Sequence, residues 1–170
     1  MSDMQAQRAL RLLSRNLLRA CDNRADREAM LLGAMFAGQA FANAPVAAVH
    51  ALAYPVGGIF HVPHGLSNAL VLPHVLRFNV AEAADLYADL ARVILPGANG
   101  NSRELADRLI HHLEHMIKAT GVPRRLRDVG ISAADLPRLA QDAMLQTRLL
   151  VNNPSPVTKA DALAIYQAAY

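Results

Sequence analysis

The chain has 170 residues, 53% of them hydrophobic and 18% charged, with a formal net charge of +3. That balance excludes the low-hydrophobicity, high-charge signature of disorder, and the length suits one domain, residues 1–170, around a single core. The lone cysteine, Cys21, excludes an internal disulfide or a cysteine-based zinc module.

No run approaches the ~18 apolar residues of a membrane span, and the opening MSDMQAQRAL has no apolar core of signal-peptide length. The expectation is a soluble cytoplasmic protein with no membrane partner. Alanine and leucine are frequent, aromatics make up 5% and tryptophan is absent, which favours helices over a sandwich of strands. The fold class expected is therefore all-α, a multi-helix bundle.

From Met4 to Cys21 the spacing of Leu10, Leu13 and Leu17 predicts an amphipathic helix. Its opposite face carries Arg8, Arg11, Arg15 and Arg19. A basic ridge is what nucleic-acid binding requires, but with no aromatic or glycine-rich partner it reads as a solvated face. Asp22-Asn23 marks a break, and a second helix follows from Ala25 to about Asn43, where Gly33 and Gly38 suggest close packing. Cys21 has only Arg19 and Arg24 as basic neighbours and is not read as a nucleophile.

Pro45 can open a third helix, through His50 and Leu52, that Gly57-Gly58 would end. Pro63 starts another, running to about Asn79 with Pro73 as a kink or boundary, and Ala81 to Ile94 has its own helical pattern. Pro96 to Asn101 is the clearest loop. A long helix from Ser102 stops at Gly121-Val122-Pro123, and Ser132 with Asp135 and Thr158 with Asp161 are capping-box variants that start two more. Pro and Asn residues from Asn152 to Pro156 separate those two, and no segment alternates like a strand.

Of the seven histidines, His50, His61 and His64 fall within fifteen residues. Imidazole is the commonest protein ligand for zinc and iron, and donors on one ion must lie ~2.0–2.1 Å from it. On one straight helix His50 and His64 would stand ~21 Å apart, so sharing an ion requires the chain to turn back. Gly57-Gly58, by adopting positive φ, and Pro63 are the residues expected to permit the reversal. The alternative is a core histidine at 50 with His61 and His64 on an exposed turn.

The stretch from Phe41 to Gly58, followed by Val62-Pro63-His64-Gly65-Leu66-Ser67-Asn68-Ala69 and Leu72-Pro73-His74-Val75-Leu76-Arg77-Phe78-Asn79, resembles the signature of the iron-containing alcohol dehydrogenases. Gly121 to Leu126 and Asn152 to Thr158 resemble that family's C-terminal region, so the likeness covers nearly the whole chain and implies its C-terminal helical domain. It implies that His50 and His64 are two of the family's metal ligands, holding Fe or Zn, which polarises the substrate oxygen while hydride passes to a nicotinamide. Tyr54 corresponds to a position where the family often has a proton-transferring histidine; a phenol is a poorer base than imidazole at neutral pH.

The resemblance also implies what this sequence lacks. The family's other two ligands are an Asp and a His four residues later, upstream of the first matched histidine. Before His50 the only aspartates are Asp3, Asp22 and Asp26, and there is no histidine. The N-terminal dinucleotide-binding domain is likewise missing, so NAD(P) is not expected to bind this chain alone. The expectations are weak or absent metal, no activity in isolation, and exposed apolar surface that favours a homo-oligomer or a partner chain supplying the N-terminal half. A non-catalytic, self-associating helical module derived from the family is the alternative.

His111 and His115 are one turn apart, but Leu105, Leu109, Leu113, Met116 and Ile117 define the buried stripe and leave them outside. They also lack the glutamate of a zincin helix. Arg124, Arg125 and Arg127 read as ordinary surface charge, with anion binding as the alternative.

Overall fold

The computed structural model describes residues 2–20 and 23–170. Cys21, and Asp22 at the expected break, lie outside the described residues. Every regular element among the described residues is helical. The chain divides into two compact units, one comprising Met1–Pro45 and Ala84–His112, the other Val46–Ala83 and Leu113–Tyr170.

In the first unit α1 (Ser2–Asn16) packs antiparallel on α2 (Arg24–Phe41). Gly33 permits the approach: a Cβ there would lie 2.9 Å from Leu13 Cδ2 and 3.1 Å from Leu12 Cβ. Gly38, expected to play the same part, faces open space. Paired side chains mark the register, with Gln5 bonded to Gln39 at 2.9 Å near one end and Arg19 to the buried Asp26 at 2.9 Å near the other.

This unit also holds the end of α4 (His64–Ile94) and the start of α5 (Ser102–Ala119), joined by the expected loop, in which Gly97 and Gly100 take positive φ. Asn101 and Glu104 cap α5 reciprocally: the Glu104 N–H donates to Asn101 Oδ1 at 3.0 Å and the Asn101 N–H to Glu104 Oε2 at 3.1 Å.

The second unit is centred on α3 (Ala48–Phe60). Ala48, Ala51, Leu52, Ala53, Pro55 and Val56 are all buried, so this helix of mostly small residues is covered on most sides. It packs on α6 (Leu136–Ala143) and α7 (Thr147–Leu150), and α6 packs on α8 (Lys159–Ala168). Short 3-10 turns at Leu126–Val129 and Ala133–Asp135 lead into α6, and the two expected capping boxes are formed at Ser132 and Thr158. Leu126, Ile131, Leu139, Leu70, Val71 and Val75 complete the core. Asn79 on α4 and Asn153 after α7 exchange amide hydrogen bonds at 3.0 and 2.7 Å, which anchors the Asn152–Pro156 segment.

Three expectations need correction. Gly57-Gly58 does not end α3: neither glycine has positive φ, and the helix continues to Phe60. The segments expected at 63–79 and 81–94 form one 31-residue helix, α4, with Pro73 inside it. Pro45 lies outside α3, which starts at Ala48. Packing overrides local propensity at these positions, since a proline costs a helix one hydrogen bond that a buried face can offset.

Candidate metal centre

The reversal between α3 and α4 is made by His61, Val62 and Pro63. His61 caps α3 at φ 55° and ψ 28°, the one non-glycine residue at positive φ among those described. Ser67 Oγ reaches back to the carbonyls of Val62 at 3.1 Å and Pro63 at 3.2 Å, tying the turn to the first turn of α4. Gly57 permits this closeness through its missing side chain, since a Cβ there would lie 3.3 Å from the Val62 oxygen and 3.5 Å from Ser67 Oγ.

The turn brings together the histidines the sequence singled out. The rings of His50, in the first turn of α3, and His64, the first residue of α4, have centroids 5.2 Å apart at 52°. Tyr54, one turn after His50, closes the group at 6.3 Å from His50, edge-on, and 6.2 Å from His64. His61 is exposed and belongs to the turn.

An ion ~2.0–2.1 Å from each ring nitrogen lies roughly 3.2 Å from each ring centre, so two tetrahedral donors have centres roughly 5 Å apart. The observed separation fits that arrangement. Burial, and then the neighbouring charge of His64, lowers the His50 pKa, which favours the neutral imidazole with a lone pair to give. Among the described residues, however, no cluster of three or more His, Cys, Asp or Glu forms. The donor set fits half of a metal site.

Asn68 was not singled out from the sequence, although its place four residues after His64 was the available signal. Its amide nitrogen donates to the His64 carbonyl at 2.9 Å and lies 3.1 Å from His64 Nε2, while its own oxygen is buried with no partner. It limits where the His64 ring can turn.

The histidines of α5 and the arginines of the first helix do not join the imidazole pair. His111 and His115 are exposed, and His111 Nδ1 lies 2.7 Å from the Asp107 carbonyl. Helix α1 ends at Asn16, short of the expected Cys21, and two arginines of the expected ridge are engaged locally: Arg8, on α1, stacks over Phe36 at 4.5 Å and Arg19, beyond the helix end, pairs with Asp26. Among the described residues no helix is long and apolar enough to cross a membrane.

Among the described residues the chain is all-helical and brings two imidazoles together at one helix junction, and comparison with known proteins gives the class a name. Residues 1–170 match the model of the Fe-containing alcohol dehydrogenase family, C-terminal, and the chain belongs to that family. It is 41% identical to long-chain-alcohol dehydrogenase 1 of Geobacillus thermodenitrificans over 99% of this chain and 44% of that protein. It is 34% identical to 1,3-propanediol dehydrogenase of Klebsiella pneumoniae, again over 99% of this chain and 44% of that protein. The crystal structure of a 1,3-propanediol oxidoreductase superposes with a TM-score of 0.94 at 34% identity, over 99% of this chain and 45% of that one. The chain thus spans less than half the length of the relatives it matches, and corresponds to their C-terminal helical portion.

Proposed function

We propose that the chain is the metal-binding helical half of an iron-type alcohol dehydrogenase, acting in NAD(P)-linked alcohol and aldehyde interconversion and inactive by itself. The observation that carries this reading is the 5.2 Å approach of the His50 and His64 rings beside Tyr54. These two imidazoles would hold a divalent ion, Fe or Zn, which when bound supplies Lewis-acid polarisation of the substrate oxygen. His50 is half-buried and held towards its neutral form, so it offers a nitrogen lone pair without first losing a proton. Tyr54, 43% exposed, can pass a proton between the site and bulk water through its hydroxyl.

Two donors leave an ion largely hydrated, so the isolated chain binds metal weakly, and the remaining ligands and the nicotinamide cofactor come from a further segment or chain. Titration of the purified chain with zinc tests this. Millimolar-range binding that disappears in His50→Ala is expected, whereas one tight equivalent, or binding indifferent to both histidines, would overturn it. Alcohol oxidation appearing only on mixing with an N-terminal half would establish the catalytic assignment.

A second reading, a non-catalytic self-associating module, is favoured by one observation: α2 leaves Leu31, Leu32 and Met35 exposed at 75%, 40% and 47%. Sedimentation showing a stable homo-oligomer, with no activity restored on mixing, would select it.

A further inference from the structure

Within the second unit a cleft of about 400 Å³ lies beside α4 and α5, lined by residues distinct from the imidazole pair. Its charged lining consists of Lys118, Arg124, Arg125 and one carboxylate, Glu114. That carboxylate is already answered: Arg77 donates to it from both terminal guanidinium nitrogens, each at 2.7 Å. Three cations therefore face the cleft against a neutralised acid. No ion pair among the described residues engages Lys118, Arg124 or Arg125, whereas Arg19, Arg77 and Arg92 all have carboxylate partners.

The backbone carrying the two arginines is fixed. Asp128 Oδ2 accepts from the N–H of Arg125 at 3.1 Å and of Arg124 at 3.4 Å. The next residue, Leu126, is fully buried, and its N–H donates to the Ala169 carbonyl at 2.9 Å. The arginines are thus presented from a pinned turn rather than a loose loop. His74 and His115 add ring nitrogens to the walls, and Leu70 and Pro73 supply an apolar side. Burial, then the charge of Arg77, lowers the His74 pKa against the opposing pull of Glu114, so this ring serves as a neutral hydrogen-bonding wall.

We propose that this cleft binds a phosphate group, held by Arg124, Arg125 and Lys118. Two guanidinium forks and an ammonium match a tetrahedral dianion with three equivalent oxygens better than they match a planar monoanion. The apolar side has room for the substituent of a phosphate monoester.

Calorimetric titration of the full chain with inorganic phosphate and, separately, methyl phosphate, at fixed ionic strength and neutral pH, tests the proposal. Saturable binding of one equivalent is expected, weakened at least tenfold in R124Q/R125Q and unchanged in R11Q/R15Q on α1. Tighter binding of the methyl ester points to an organic phosphate, and equal binding to free phosphate. If the double variant loses its helical circular dichroism, Lys118→Gln carries the same comparison. Absence of saturation, or equal weakening in the α1 control, would overturn the proposal in favour of diffuse surface charge.

Discussion

The hydroxyl of Tyr166 donates to the carbonyl of Leu52, 114 residues earlier in the chain, at 2.6 Å, and both residues are fully buried. This bond fastens α8 to the helix that carries His50 and Tyr54. Tyr166→Phe keeps the ring and removes the bond, so a loss of about 1 kcal/mol in denaturant unfolding is expected. Burial, with the charge of Asp142 adding, pushes the phenol far above its ordinary range. The folded state therefore holds this proton where the unfolded chain releases it, and stability falls as pH rises past ~10. Y166F should flatten that alkaline slope; an unchanged slope would show that other groups cause it.

The imidazole pair makes a prediction about metal removal. Cobalt(II) added to the isolated chain should give a weak visible spectrum that a chelator abolishes without changing helicity, because the core of this unit is apolar and independent of the site. His50→Ala and His64→Ala should each weaken binding by roughly tenfold or more, since one imidazole alone is a poor chelate. Unfolding on chelation would mean that the ion is structural.

Gly57 and Gly58 should respond in opposite directions. A side chain at Gly57 meets the Val62 carbonyl, so Gly57→Val should cost about 1–3 kcal/mol by overpacking. Gly58 is exposed within the same helix, and a Cβ there would meet nothing within 4 Å, so Gly58→Ala should gain about 0.5–1 kcal/mol from reduced unfolded-state freedom. Thermal melts of the two variants that shift the same way would contradict this.

At the start of α8, Thr158 Oγ1 accepts from the Asp161 N–H at 3.2 Å and donates to Asp161 Oδ2 at 2.6 Å. Hydrogen bonds from the Thr158 side chain, and then from its backbone, lower the Asp161 pKa. A depressed folded pKa stabilises the fold above the ordinary carboxylate range, and the gain is lost as pH falls through the folded value. Thr158→Ala should therefore cost about 1 kcal/mol near neutrality and show a shallower loss between roughly pH 5 and 2. Parallel pH profiles for the two proteins would count against the cap as the source.

The helical fold is legible in the sequence because Leu105, Leu109 and Met116, like the capping pairs at Ser132 and Thr158, are local signals that the packed structure respects. The nearness of His50 and His64 is legible as a requirement, but its cause is not. Glycine pairs commonly end helices, yet here Gly57 is selected by the closeness of Ser67, ten residues on, which no local window reveals. The turn falls instead to His61, in a conformation a histidine adopts at a cost that local sequence does not announce. The amide exchange between Asn79 and Asn153 likewise depends on partners distant in sequence.

The short junction from His50 to His64 has one more effect, on thermodynamic linkage. If the two imidazoles hold an ion as proposed, their place in a single contiguous stretch keeps them in the same neighbourhood in a denatured chain, which would retain some hold on it. A ligand gripped by both ensembles shifts the unfolding equilibrium less than its affinity for the native one implies. Zinc occupancy would then be a poor gauge of folding, and a larger thermal upshift would belong to assemblies in which remote segments close around the ion.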